Sequence, residues 1–130
     1  MTTTQTSPLF QTVSDKDYFS LFNGDQTNYE GVIKRLDLKR DDVARATGVP
    51  SASVRYDGKI PKDVSQRITE WAILLNLVAQ HFEGDINKTS LWFTSLNPLL
   101  GNFSPRDMIR MGRYKKLIKF VVNALLENSR

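Results

Sequence analysis

The chain has 130 residues, a mass of 14.8 kDa and a net charge of +4, with 40% hydrophobic and 25% charged residues, a composition typical of packed globular proteins rather than disordered, fibrous or membrane chains. Zero cysteines exclude disulfides, thiolate metal sites and cysteine nucleophiles, and the single histidine, His81, leaves little for zinc binding or a histidine-based triad, so no cofactor, no metal and no enzymatic activity is expected. The N-terminal MTTTQTSPLFQTVSD lacks the basic residues and apolar block of a targeting signal, and no segment reaches the roughly 18 apolar residues of a membrane span, so a cytoplasmic location is expected.

Residues 1 to 24 read as a Thr/Ser/Gln-rich arm followed by a short helix. Asp15 is placed to cap KDYFSLF, where Tyr18 and Phe19 stand four and three residues before Phe22, and Asn23-Gly24 ends the segment. From Asn28, a candidate N-cap, the stretch NYEGVIKRLDL sets Tyr29, Val32, Ile33 and Leu36 on one helical stripe. Two short elements come next, KRDDVARATG and VPSASVRYDGK. Pro61 then opens a long helix through PKDVSQRITEWAILLNLVAQHF, in which Val64, Ile68, Trp71, Leu75, Val78 and Phe82 recur at alternating steps of four and three. Ile73, Leu74 and Leu77 widen that seam, which predicts a central helix embraced on several sides with surface left over for a homodimer.

Glu83-Gly84-Asp85 ends this helix, and the run LWFTSLNPLLGNFSP lies just beyond. It is apolar enough for a core, yet Asn97-Pro98, Gly101-Asn102 and Ser104-Pro105 interrupt it too often for one regular element. After Pro105 come a short helix and a final one whose apolar face holds Leu117, Ile118, Val121, Val122, Leu125 and Leu126. No strand is predicted anywhere, and the fold class is all-α. Residues 104 to 130 carry seven Lys/Arg against Asp107 and Glu127, so the excess positive charge sits at this end.

The stretch DVARATGVPSASVR fits a helix-turn-helix. Ala44 supplies the small side chain where two crossing helices touch, Gly48 the left-handed turn, and Val43, Val49 and Val54 the buried anchors. In that reading the second helix enters the major groove of operator DNA exposing Ser51, Ser53, Arg55 and Tyr56, with Arg55 the candidate for a bidentate guanine contact. Lys39, Arg40, Lys59 and Lys62 would meet backbone phosphates. Against it, residues 25 to 63 hold eight basic and seven acidic residues, a weak field for DNA.

The order of helix-turn-helix, long helix and Trp-led segment resembles the Xre/ParS/MbcA family of antitoxins, over roughly residues 28 to 128. The most specific part is LWFTSLNPLLGNFSPRDMIRMGRYKKLIKFVVNALL: a Trp, Asn-Pro before a Leu pair, a Pro-initiated short helix, then a Gly and an amphipathic helix. The resemblance implies a helix-turn-helix DNA module at 25–63, behind an arm at 1–24, and a toxin-binding module within 64–130. It further implies neutralisation of a RES-domain, ADP-ribosyltransferase-like toxin that consumes NAD or modifies a target protein, and repression of the chain's own operon. The toxin-facing positions would be Trp92, Asn97, Pro98, Leu99, Leu100, Pro105, Gly112, Arg113 and Tyr114. The charge distribution separately suggests that the end of the last helix approaches the toxin's active site, since a basic segment does not suit a phosphate-binding pocket and leaves Glu127 and the terminal carboxylate of Arg130 for the contact. Gly101-Asn102-Phe103 departs from the Gly-Gly of many members, and Arg106 stands where an apolar residue is common. The alternative is a stand-alone transcription regulator whose C-terminal module only dimerises.

Overall fold

The computed structural model describes residues 16–128; Asp15 and Arg130, assigned a capping and a partner-facing role from sequence, lie outside them. The described chain opens on a small antiparallel hairpin, β1 (Phe22–Asn23) with β2 (Gln26–Thr27), Phe22 opposite Thr27 and Asn23 opposite Gln26. This corrects both the short helix expected through KDYFSLF and the expected absence of strands. The reason is local hydrogen bonding: the Asp17 carboxylate accepts the Leu21 and Phe22 N–H groups at 2.8 Å each, taking donors that a helix would need, and Gly24 turns the chain at φ +63°.

Six helices come after it among the described residues: α1 (Tyr29–Leu36), α2 (Arg40–Thr47), α3 (Lys62–His81), α4 (Ile86–Thr94), α5 (Pro105–Arg110) and α6 (Tyr114–Asn128). The all-α class therefore holds, with the hairpin its only sheet among the described residues. Their starts are legible in the caps. Asn28 Oδ1 accepts the Gly31 N–H at 3.0 Å, Asp85 Oδ1 accepts Lys88 N–H at 3.0 Å, and Ser104 with Asp107 forms a reciprocal capping box. Pro61 sits one position before the first helical residue of α3, in extended backbone.

Helix α3 is the axis. Every residue from Trp71 to Ala79 is buried, because α1, α2, α4 and α6 pack around it. Each large side chain so enclosed contributes about 1.5–3 kcal/mol. One chain thus covers the circumference of this helix from Trp71 to Ala79, the seam from which a homodimer was expected. The core is one cluster running from Phe19 and Leu21 through Val32, Val43 and Val54 to Met108, Ile109 and Leu117, so the segments on either side of residue 63 share it. No helix among the described residues is long and apolar enough to cross a membrane.

The second helix of the expected helix-turn-helix is absent. Gly48 does close α2 in the left-handed region, at φ +76°, but Ser51–Ser53 forms a single 3-10 turn and Val54 is already extended. Val54 still plugs the core, so the anchor survives without the helix. Beyond Val54 the chain turns again: Asp57 Oδ1 accepts the Lys59 N–H at 3.1 Å and the Asp57 carbonyl accepts Ile60 N–H at 3.0 Å.

Candidate functional site: a turn-borne apolar face

Residues 95–104 connect α4 to α5, and Asn97 organises them. Its side-chain oxygen accepts the Leu99 N–H at 2.9 Å, its carbonyl accepts Leu100 and Asn102 N–H at 2.9 and 3.0 Å, and its own N–H donates to the Phe103 carbonyl at 3.0 Å. Pro98–Leu100 is thereby held as a 3-10 turn, closed by Gly101 and Asn102 at φ +73° and +66°. Asn102 tolerates this backbone as few non-glycine residues do, which accommodates the departure from Gly-Gly.

The turn sorts its apolar side chains. Leu100 is 6% exposed and Phe93 is buried in the core, whereas Leu99 stands 78% exposed at the tip and Phe103 borders solvent. Leu91 on α4 and Leu96 on the connection are exposed as well. Beside Leu99 lies a groove of about 240 Å³ framed by Val78, His81 and Phe82 at the end of α3, Trp92 of α4, and Phe120, Ala124 and Leu125 of α6. Trp92 is half-buried there and meets Phe93 edge-on, centroids 5.1 Å apart. Asn97 and Leu99 complete the lining.

Of the sequence-predicted partner residues, the fold brings Trp92, Asn97, Pro98 and Leu99 together. Leu100 and Tyr114 are corrections: both are core residues, and the Tyr114 hydroxyl donates to the Glu70 carbonyl at 3.2 Å while burial pushes its pKa well up. Pro105 is likewise buried. Arg113 and Gly112 are exposed at the start of α6, and Glu127 is exposed at its far end. Leu91, Leu96, His81, Phe82, Phe120 and Leu125 were not singled out. The i, i+4 pair Phe120 and Ala124 was a readable signal; the exposure of Leu91 and Leu96 was not.

The candidate DNA residues form a weaker arrangement. Lys39, Arg40, Ser53, Arg55, Lys59 and Lys62 are exposed. Arg55 forks onto Asp57, Nε to Oδ1 at 2.7 Å and Nη2 to Oδ2 at 2.5 Å, and the same bond holds Asp57 below the usual carboxylate range. Ser51 Oγ donates to Asp41 Oδ1 at 2.7 Å, and Tyr56 is half-buried beside Ile33 and Leu38, where burial raises its pKa. Of the groups assigned to base edges, Ser51 and Arg55 are therefore engaged by neighbouring carboxylates, Tyr56 is partly buried and Ser53 is exposed, with no helix to present them.

A charged seam joins these two regions. Arg106 Nη1 lies 3.3 Å from Asp37 Oδ2, and Arg110 lies 3.4 Å from Asp107 and 3.5 Å from Asp42. Arg106, unusual against the resemblance, thus has a local partner in Asp37 at the end of α1. Comparison with protein-family models, with curated proteins and with solved structures finds no match to this chain.

Proposed function

We propose that the chain is a non-enzymatic antitoxin that neutralises a RES-domain toxin by direct binding through the face around residues 91–103 and the adjoining groove. The observation that carries this is the turn set by Asn97, which holds Leu99 in water next to a preformed apolar groove. Solvent-exposed leucines beside such a groove cost solubility unless a partner covers them. The Trp, Asn-Pro-Leu-Leu and Pro-initiated helix on which the resemblance rests fall on this same face or directly beneath it.

Repression of the operon has less support. A reading helix needs several exposed residues in register with a groove, and residues 51–53 supply one turn. The alternative of a stand-alone regulator depends on that same helix and is disfavoured with it.

The test is co-expression with a RES-domain toxin from the same genome. Wild-type protein is expected to relieve growth arrest and to co-purify with the toxin, and a Leu96→Asp, Leu99→Asp variant is expected to do neither while remaining folded. Full neutralisation by that variant, or failure of the wild type to bind any such toxin, overturns the proposal.

A further inference from the structure

The hairpin turn carries Asn23, the one asparagine of the chain that precedes a glycine. Residues 23–26 are all exposed, and Gly24 has open space where a Cβ would stand. The Asn23 side chain makes no hydrogen bond among the described residues, and the Gly24 N–H has no backbone acceptor among them. Other asparagines are engaged. Asn28 caps α1, both ends of the Asn76 amide are bonded inside the protein, and Asn97 holds the Leu99 N–H and precedes a proline, which has no N–H.

The side-chain Cγ of an asparagine lies close to the nitrogen of the next residue. Ring closure between them is opposed by hydrogen bonds that fix the side chain, by an acceptor that ties up the N–H, and by bulk on the following residue. None of these operates at 23–24. Backbone rigidity is the remaining obstacle, because extended strand geometry must be left for the ring to close. Here that obstacle is small: β1 and β2 have two residues each, Asn23 faces Gln26 at the turn end of the ladder, and a two-stranded ribbon is marginal by itself. The hairpin is fastened to the protein at its other end, where the Leu21 carbonyl accepts the Asn28 N–H at 2.7 Å and Thr27 Oγ1 lies 2.9 Å from Thr69 Oγ1. The turn therefore opens locally while the core stays folded.

We propose that Asn23 is a site of spontaneous deamidation, with water as the co-reactant. The deprotonated Gly24 nitrogen attacks Asn23 Cγ; the N–Cγ bond forms, the Cγ–Nδ2 bond breaks, and the amide leaves as ammonia with the proton that Gly24 gave up. Water then opens the cyclic imide. Addition at Cγ gives an aspartate, and addition at the main-chain carbonyl gives an isoaspartate, whose backbone runs through the former side chain and is longer by a methylene. Nothing is oxidised or reduced. Either product adds a negative charge beside Asp25, and the isoaspartate also breaks the pairing of position 23 with Gln26.

The experiment ages the full-length protein at neutral pH in water enriched in heavy oxygen, beside the same chain unfolded in guanidinium chloride, with peptide mass spectrometry and ammonia release as readouts. The expected result is exchange of NH2 for heavy-oxygen OH at Asn23 with one ammonia released per modified chain. It should run about tenfold or more faster than at exposed Asn87 and Asn123, and within about tenfold of the rate in the unfolded chain. Asn23→Gln is expected to abolish the early ammonia release. In the aged protein, amide exchange at Gln26 and Thr27 should accelerate while exchange in α3 stays unchanged. A folded rate more than about tenfold below the unfolded one, or a rate at Asn23 no faster than at Asn87, overturns the proposal.

Discussion

Asn76, buried on α3, donates from Nδ2 to Asp17 Oδ1 at 3.0 Å and so joins residues 59 positions apart in the chain. Its Oδ1 accepts the Phe19 N–H at 3.2 Å, so both ends of the amide are engaged and the N-terminal segment is pinned to the central helix. Asn76→Leu keeps the branching of the side chain but strands the Phe19 N–H and takes one donor from the Asp17 carboxylate. The expected cost is about 1–3 kcal/mol, read as a lower urea midpoint at constant m-value. Amide exchange at Phe19 and Leu21 should accelerate more than exchange in α6. An unchanged midpoint removes the clamp from the stability of the fold.

The same clamp has a pH signature. Burial raises the Asp17 pKa, but the Leu21 N–H, the Asn76 amide and the Phe22 N–H together bring it below its ordinary 3.8. A carboxyl whose folded pKa is depressed contributes stability that is present above its unfolded pKa and is lost as pH falls through the folded one. Asp17→Asn should therefore flatten the loss of stability on acidification below about pH 4. Glu70 has the opposite sign, its pKa raised by burial, so Glu70→Gln should leave acid stability unchanged and raise stability at neutral pH. Denaturant melts of the two variants across pH 2–7, on the scale of ordinary carboxylate titration, separate them.

Helix α3 was legible because burial imposes a long, regular spacing on Val64, Ile68, Trp71, Leu75 and Val78, and α1 because Asn28 caps it. The hairpin was not, since its strands are two residues each and their geometry is set by Asp17 and Asn76, a contact that no local window contains. Helix α4 was hidden for another reason: the apolar residues of Ile86–Thr94 do not keep a clean period, as Leu91 points to water and Phe93 to the core. At 51–56 the small-residue and glycine pattern was real, but β-branched Val54 and the Asp57-Gly58 turn end the helix after one turn. Which of Leu99 and Leu100 is core depends on the turn that Asn97 fixes, and identical side chains carry no hint of it.

The charged seam yields a contrast between two of its members. The Asp37 carboxylate that pairs with Arg106 is largely exposed, and the Arg106 Nε is buried without an acceptor among the described residues. An exposed pair is worth little, and removing an unpaired buried donor is favourable, so Arg106→Leu should change stability by less than about 1 kcal/mol. Asp42 caps the Lys39 N–H at 2.9 Å and faces both Arg45 and Arg110. Asp42→Ala should cost about 0.5–2 kcal/mol, and thermal melts of both variants in one buffer decide the order.

Adjacent leucines should behave in opposite ways. Leu100→Ala empties a core position and is expected to cost about 2–5 kcal/mol. Leu99→Asp replaces a side chain already in water, so its effect on the urea midpoint should stay within about 0.5 kcal/mol. Under the proposed function its effect belongs to binding: capture of a RES-domain toxin should be lost with the fold intact. If Leu99→Asp unfolds the chain, the turn is not the independent platform that the Asn97 hydrogen bonds describe.

The start of α6 offers a test of local helix electrostatics, because its first turn holds no acid. Lys115 and Lys116 oppose the helix dipole, so Lys115→Glu should stabilise the fold by about 0.3–1 kcal/mol at low salt, and added salt should erase the gain within the screening length of about 10 Å at 0.1 M. A lower melting temperature for Lys115→Glu at low salt would mean that Lys115 contributes more through its contact with Glu70 than it costs at the helix end. Measuring the melting curve of Glu70→Gln, Lys115→Glu beside each single variant isolates that contact from the dipole effect.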